Sequence, residues 1–206
     1  SPASAAGLTV IDPFTREQCA GLVCSPSQPV VADPAILGGE RDVLANRIAG
    51  TGALRVWGAG WPVLSVENGP PDGLSSYLVV WDGPDGDETS LDYDGLGADL
   101  TAGCAPGSAY LELHQTYLDR KAAYTISVYT DAGNWSSWSS GVVEQSDVQF
   151  HIPLADLVVQ AGQGVDWHDV GAVALSIDTA VETTADLSLE SFRLGCTPTA
   201  VRLVRF

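Results

Sequence analysis

Apolar and polar side chains alternate through much of the last third of the chain, residues 147–195. In VQFHI, residues 148–152, every second side chain is apolar, and LSLE, residues 187–190, repeats the pattern. A period of two places one face of a strand in a core and the other in water, as is typical of antiparallel sheet. Together with the apolar segment at residues 170–177, the region predicts three antiparallel strands.

Further strand-like segments precede this region, and turn residues separate them. GPPDG at residues 69–73 and DGPDGD at residues 82–87 are two such turns. Residues 154–160 fit a short helix or a strand equally well. Many short strands at regular spacing predict an all-β fold, an antiparallel jelly-roll-like sandwich. The other predicted strands are residues 36–44, 54–57, 63–67, 76–81, 110–117, 124–130 and 137–143.

Three parts are predicted along the chain. Residues 1–32 contain several prolines, which disfavour helix and favour extended backbone, so we interpret them as an N-terminal arm with a small cysteine loop. Residues 33–196 are predicted to form the β-sandwich domain. Residues 197–206, TPTAVRLVRF, are predicted to form a C-terminal strand or tail.

The charge of the chain argues against several classes of partner. Nine Lys and Arg residues stand against 26 Asp and Glu residues, a net charge of −17. Such a surface repels phosphate backbones and anionic lipids, so we predict no nucleic-acid binding. No apolar run approaches the roughly 18 residues of a membrane helix, so no membrane insertion is predicted. The opening SPASAAG and the lack of methionine suggest an exported chain without its signal peptide, and predict an extracellular or cell-surface location.

Four cysteines in an exported chain favour disulfide bonds, with three connectivities open. Cys19 and Cys24 are close enough in sequence to pair locally, which leaves Cys104 to pair with Cys196. A zinc site is the alternative. The cysteine spacing and the lack of a nearby histidine make it the weaker interpretation.

Three short segments carry a family resemblance: ILGGERD at residues 36–42, VVWDG at residues 79–83 and TAVRLVRF at residues 199–206. They resemble segments of secreted bacterial surface proteins of the choice-of-anchor type. The closing region, residues 147–195, resembles the last strands of jelly-roll and galactose-binding-like sandwiches. The resemblance implies an exported sandwich protein, and its motifs contain no catalytic residues.

The acidic segment between residues 82 and 94 is a candidate calcium site. Ca²⁺ takes six to eight oxygen ligands and tolerates irregular loops, which suits carboxylates spaced around glycines. The spacing is not that of an EF-hand, and the alternative is a solvated loop whose Asp-Gly steps are turns. Calcium is the one structural cofactor predicted, with candidate ligands Asp82, Asp85, Asp87, Glu88, Asp92 and Asp94.

Six tryptophans are many for a chain of this length. In carbohydrate-binding sandwiches, exposed planar side chains stack on sugar rings. Trp135 and Trp138 lie among small polar residues in AGNWSSWSSG and are the best candidates, with Asn134 and Asp131 as hydrogen-bonding partners for sugar hydroxyls. The alternative for each tryptophan is core packing. Core packing is favoured most for those in apolar strands, Trp57 and Trp81.

No catalytic constellation is visible in the sequence. Alternation in residues 110–117 places Glu112 and His114 on one face, but a glycosidase needs a second carboxylate about 5–10 Å away, and none lies nearby in sequence. Nucleophile-elbow, phosphate-loop and dinucleotide motifs are absent. We therefore predict that the protein is not an enzyme.

The apolar segments at both ends predict a structural role. A strand given to the sheet edge of a neighbouring copy would satisfy unpaired backbone groups there and build a surface fibre or layer. The predicted partners are therefore other copies of the chain, and residues 200–206 are the second choice of donor. A carbohydrate-binding or adhesive module with a polysaccharide partner is the alternative function. The predicted assembly strand contains Leu8, Val10, Ile11 and Phe14.

Overall fold

A computed structural model describes residues 8–58, 60–69, 73–182 and 184–196. The described part contains fourteen β-strands and two short 3₁₀ helices, Leu37–Gly39 and Leu154–Asp156. The strands are β1 (Leu8–Asp12), β2 (Gln18–Gly21), β3 (Val30–Ala32), β4 (Glu40–Ala49), β5 (Ala53–Val56), β6 (Leu64–Glu67), β7 (Leu74–Trp81), β8 (Ala109–Leu118), β9 (Ala122–Asp131), β10 (Asn134–Val143), β11 (Val148–Pro153), β12 (Val158–Ala161), β13 (Ala172–Asp178) and β14 (Leu187–Cys196).

The strands form two antiparallel sheets of seven strands each. The first sheet has the order β11-β8-β14-β6-β5-β2, and β1 joins it beside β14. The second has the order β12-β10-β9-β13-β7-β4-β3. The predicted all-β antiparallel sandwich is confirmed. No helix in the part of the chain that the structure describes is long and apolar enough to cross a membrane.

The core lies between the sheets and follows the period of two. In β9, Tyr124, Ile126 and Val128 are fully buried, whereas the side chains between them lie on the outer face and are half-buried. The rings of Trp81 and Phe192, one from each sheet, lie 5.2 Å apart between centroids. Burying one large apolar side chain contributes roughly 1.5–3 kcal/mol, so this alternation supplies the main driving force for the fold.

Residues 8–32 of the predicted N-terminal arm are part of the sandwich. Within residues 8–32, β1 and β2 belong to the first sheet and β3 to the second. β1 pairs with β14 of its own chain, with Leu8 opposite Gly195 and Val10 opposite Arg193. The strand predicted to join a neighbouring copy is therefore bound within its own molecule, and the strand-donation prediction is corrected. The second choice of donor, residues 200–206, lies outside the described residues.

An irregularity in β1 changes which side chains face the core. The register shifts between Val10 and Asp12, so Ile11 and Asp12 are both fully buried, and so is Phe14. Leu8 and Val10 remain exposed. Strict alternation would place Leu8, Val10 and Phe14 of the predicted assembly strand on one apolar face. This face does not form, because a bulge adds one residue and breaks the alternation.

Two predicted elements differ from those observed. The strand predicted from residue 36 begins only at Glu40, because Gly38 and Gly39 have φ angles of 76° and 88°, which are incompatible with a strand. The segment at residues 154–160 divides into the 3₁₀ turn Leu154–Asp156 and β12.

The cysteines form two disulfide bonds with the predicted pairing. Cys19 and Cys24 have Cα atoms 5.6 Å apart, and Cys104 and Cys196 have Cα atoms 5.4 Å apart. The first closes a local loop after β2. The second ties the last residue of β14 to the segment that precedes β8.

Candidate functional site

Neighbouring strands of the first sheet align polar side chains across its outer face. In the strand register, Tyr117 of β8 lies opposite Ser188 of β14, Ser188 opposite Ser65 of β6, and Ser65 opposite Arg55 of β5. The row crosses four adjacent strands. Tyr117, Ser188 and Arg55 are at least partly exposed, and their hydroxyl and guanidinium groups can hydrogen-bond to a polar ligand, whereas Ser65 is buried between them.

Two tryptophans border this row. Trp57 directly follows β5 and Trp61 lies in the connection to β6, with their ring centroids 6.2 Å apart. Trp57 is 45% exposed and Trp61 is 65% exposed. Trp57 Nε1 donates a hydrogen bond of 2.9 Å to Ser65 Oγ, which fixes the ring while leaving much of it in contact with solvent.

Together these residues line a groove of about 310 Å³ on the outer face of the first sheet. Tyr117, which is 49% exposed, supplies a third aromatic ring. A site of this kind, with aromatic surfaces around a few polar groups, is typical of ligand binding, and exposed aromatic side chains in one place mark an interaction surface. We call it the tryptophan groove, and its lining includes Trp57, Trp61, Val63, Ser65, Glu67, Tyr117, Asp186 and Ser188.

Charges of both signs lie at the tryptophan groove. Arg55 Nε is 3.5 Å from Glu67 Oε2, and its guanidinium lies 5.9 Å from the Trp57 ring centroid. Asp186 Oδ1 accepts a hydrogen bond of 2.6 Å from the backbone N–H of Asn68. Burial raises the pKa of Asp186, with smaller contributions from nearby carboxylates. The groove therefore offers hydrogen-bond acceptors as well as donors, with a negative bias.

The sequence pattern does not predict this site. It favours core packing for both Trp57 and Trp81, but of the two only Trp81 is buried, at 0% exposure. Trp57 is exposed because β5 ends at Val56 and the chain turns outward through Gly58, whose φ is 81°. The available signal was the spacing of two tryptophans around glycines in VWGAGWP, which is typical of a loop.

The tryptophans predicted to bind sugar lie on opposite faces of β10. Trp135 pairs with Tyr129 across the strands, on the outer face of the second sheet, and the two rings stack at 5.2 Å. Trp138 pairs with the buried Ile126 and packs against the core, with the ring of Phe150 at 5.5 Å. The two tryptophans cannot line one binding surface. Binding through Trp135 stays a prediction.

Asn134 and Asp131, which are predicted to hydrogen-bond to sugar hydroxyls, stabilise a turn by bonding to each other and to the backbone. Asn134 Nδ2 lies 3.1 and 3.0 Å from the two carboxylate oxygens of Asp131 and donates to them. Asp131 also accepts from the backbone N–H of Gly133, and Asn134 Oδ1 accepts from that of Gln163. These contacts fix the β9–β10 turn against the segment after β12.

The acidic loop after β7 does not gather its own carboxylates into one cluster. Asp87 accepts hydrogen bonds from Thr89 and Ser90, and Asp92 Oδ1 accepts one from the backbone N–H of Asp94. Instead, ligand atoms of Asp85 lie within 4.8 Å of those of Glu40 and Asp42, which come from β4. Glu88 and Asp94 are not in this group. Calcium binding by the six predicted carboxylates stays a prediction.

Two buried carboxyl groups, Asp42 in this group and Asp82 beside it, have raised pKa values. Burial raises the pKa of Asp42 to about 8, and the neighbouring carboxylates of Glu40, Asp82 and Asp85 add to the rise. Burial raises the pKa of Asp82 to about 6, against the lowering effect of the hydrogen bond from the backbone N–H of Asp92. In the absence of a cation, a proton held between Asp42 and Asp82 is the available way to reduce their repulsion.

We expect the stability of the protein without divalent cations to fall as the pH rises from about 4 to about 8. The pKa of Asp42 is higher in the folded protein than its usual 3.8, so the unfolded chain releases this proton at a lower pH than the folded protein does. The contribution of Asp42 to the free energy of unfolding is therefore complete below about pH 3.8, and it is lost as the pH rises through about 8. One pKa unit corresponds to about 1.4 kcal/mol. Urea unfolding in EDTA at pH 5 and pH 8 measures the effect. Asp42→Asn should weaken this dependence, and an equal dependence in the variant would contradict the assignment.

The polar face of β8 makes contacts with charged side chains of neighbouring segments. Glu112 forms an ion pair with Arg193 of β14. His114 lies 3.0 Å from Glu190 and 3.2 Å from Asp147. Both residues considered for acid–base chemistry are thus held by contacts with other strands or loops.

No family model and no curated protein matches this sequence. Solved structures with similar folds include several described as carbohydrate-binding modules. One described as CtCBM11 has 12% identity and a TM-score of 0.47, covering 96% of this chain and 99% of that one. The family 11 module from Clostridium thermocellum, in complex with a β-1,3-1,4-mixed-linked tetrasaccharide, has 13% identity and a TM-score of 0.41. The match covers 93% of this chain and 96% of that one. A family 29 module in complex with mannohexaose has 11% identity and a TM-score of 0.38, covering 93% of each chain.

Proposed function

We propose that the protein is a carbohydrate-binding module that holds a polysaccharide in the tryptophan groove. The observation that carries the proposal is the exposure of three aromatic rings around polar side chains that line the same groove. The rings are Trp57, Trp61 and Tyr117, and the polar side chains include Ser188, Glu67 and Asp186. Sugars have apolar ring faces and polar edges. They match a surface where aromatic rings lie beside hydrogen-bonding groups.

Charge narrows the class of polysaccharide. The chain carries a net charge of −17, and Glu67 and Asp186 border the groove. Like charges repel across an interface, so a neutral polysaccharide fits the groove better than a uronic acid or sulfated polymer. The two disulfide bonds are consistent with an extracellular location, where a polysaccharide partner is accessible.

The test is affinity gel electrophoresis with neutral polysaccharides: a mixed-linked β-glucan, a mannan and a β-1,4-galactan. We expect at least one polymer to retard the protein. Trp57→Ala and Trp61→Ala should each weaken that binding about tenfold or more, because a lost aromatic stacking contact is worth about 1.5 kcal/mol. Both side chains are exposed, so the melting temperature should change little.

Trp135→Ala is the matched control, because it removes a tryptophan from the other sheet. We expect it to bind like the unmodified protein. If it alone abolishes retardation, the sugar binds at the second sheet and the groove is the wrong site. If none of the polymers retards the protein, the proposed function is refuted for this set of neutral glycans.

A further inference from the structure

The Asp42 side chain is buried without a cationic partner. It is 2% exposed, and no N–H or hydroxyl donor among the described residues reaches either carboxylate oxygen, so that its polar neighbours are other carboxyl groups, Asp82 among them. Burying a charged group without compensation costs several kcal/mol. Proteins avoid that cost by pairing, by protonation or by binding a cation.

Asp12 shows how the same molecule satisfies a buried carboxylate. It is 0% exposed, and Asp12 Oδ2 lies 2.8 Å from Arg41 Nη1 and 3.0 Å from Trp81 Nε1. Asp12 Oδ1 accepts the backbone N–H of Phe14 at 2.7 Å. Arg41 directly precedes Asp42 in β4, yet its side chain lies on the opposite face of the strand. Asp42 therefore gains nothing from the one buried cation beside it in sequence.

Other carboxylates converge on Asp42. Ligand oxygens of Glu40, Asp42 and Asp85 lie within 4.8 Å of one another. Asp82, 1% exposed, has one oxygen bonded to the backbone N–H of Asp92 and the other, Oδ1, without a partner. Within the described parts of the chain, no salt bridge involves any of these four carboxylates.

We propose that a calcium ion binds between Glu40, Asp42 and Asp85, with Asp82 beside them. The available ligands are all oxygens, which suit a hard cation. Asp85 comes from an irregular loop containing Gly83 and Gly86, and calcium accepts such flexible geometry, whereas magnesium demands a near-ideal octahedron. Backbone carbonyls and water would complete its six to eight ligands. The site differs from the predicted one, because two of its ligands come from β4.

The proposed ion would link β4 to the loop at residues 82–99, which lies against the start of β13. There the Leu96 N–H donates to Gly171 O at 2.9 Å, and the Ala98 N–H donates to Val170 O at 2.9 Å. A Cβ on Gly171 would lie 1.7 Å from the carbonyl oxygen of Tyr93, so loop and strand are in direct contact. Bound calcium would hold this loop on the outer face of the second sheet.

The test uses the full chain stripped with EDTA, titrated with CaCl₂ by calorimetry and melted with and without calcium. Calcium at about a hundred times its dissociation constant should raise the melting temperature by roughly 5–10 °C. Asp42→Asn should abolish this shift. It should also melt above the unmodified protein in EDTA at pH 8, because the variant removes a buried repulsive charge. Asp85 is exposed, and Asp85→Asn should weaken calcium binding about tenfold or more.

Asp94→Asn is the matched control, because it removes one exposed charge from the same loop without touching the cluster. It should keep the full calcium response, and MgCl₂ at equal concentration should give a smaller shift. Absence of binding heat and of any melting shift in the unmodified protein would overturn the proposal. So would an equal loss of response in Asp94→Asn and Asp42→Asn, or an equal effect of magnesium, since either outcome would indicate general screening of acidic charge.

Discussion

Replacing Arg41 by alanine will lower the free energy of unfolding by about 3–5 kcal/mol, because it leaves a buried carboxylate without its counter-ion. Arg41 is 0% exposed and lies 2.8 Å from Asp12 Oδ2. Its other donors reach Gln18 Oε1 at 2.5 Å and the carbonyl oxygen of Arg16 at 2.8 Å. The side chain thus joins β4 to β1, β2 and the segment between them. Urea unfolding monitored by tryptophan fluorescence measures the loss.

Two further variants test whether the cause is the unpaired charge. Replacing both partners, as Asp12→Leu with Arg41→Met, should cost clearly less than the sum of the single variants, because neither charge of the buried pair remains. Arg120→Ala removes an exposed arginine that lies 3.4 Å from Glu182, and should cost less than about 1 kcal/mol. Equal costs for Arg41→Ala and Arg120→Ala would contradict the role of the buried pair.

The sandwich was predictable because enough of its strands keep the period of two over several residues. β9 and β11 alternate along most of their length, and β14 alternates over Leu187–Leu189 before a bulge interrupts it. The disulfide pairing was also predictable, because Cys19 and Cys24 are neighbours and only one other pair remains.

The role of the N-terminal segment was not predictable from its local pattern. The segment LTVIDPF contains a single carboxylate, Asp12, among apolar residues, and nothing in the segment indicates its partner. In the structure that partner is Arg41, 29 residues later. The bulge beside it buries two successive side chains. Neither the long-range partner nor the inserted residue leaves a periodic signal, so an edge strand of the molecule itself resembled a free arm.

The candidate site could be predicted only by knowing which face of its strand each side chain occupies. Trp57 and Trp81 both follow valine and precede a glycine-containing turn, yet one is exposed and the other buried. A shift of one residue reverses the face of a strand side chain, and propensity does not fix that register. In β4, alternation does place Glu40 and Asp42 on one face. The contact of that face with the loop after β7 follows from the sheet order, which the sequence does not show.

Removing the disulfide between Cys104 and Cys196 by a double alanine substitution will lower the free energy of unfolding by about 4–5 kcal/mol. The bond joins residues 92 apart in sequence, so it removes a large amount of conformational entropy from the unfolded chain. It also holds the end of β14, which pairs with β8, β6 and β1. The melting temperature should fall by roughly 10 °C or more. Guanidinium unfolding without reductant measures the change.

The other disulfide is the matched control for loop length. Cys19 and Cys24 are separated by only five positions, so their double alanine variant should lose about 2 kcal/mol on the same chain-entropy relation. The short loop lies after β2, at one edge of the first sheet, where fewer strands depend on it. The expected order of stability is therefore unmodified protein, then the short-loop variant, then the long-loop variant. If the short-loop variant were the less stable of the two, loop entropy would not be the main contribution of these bonds, and strain or local packing at β2 would have to account for the difference.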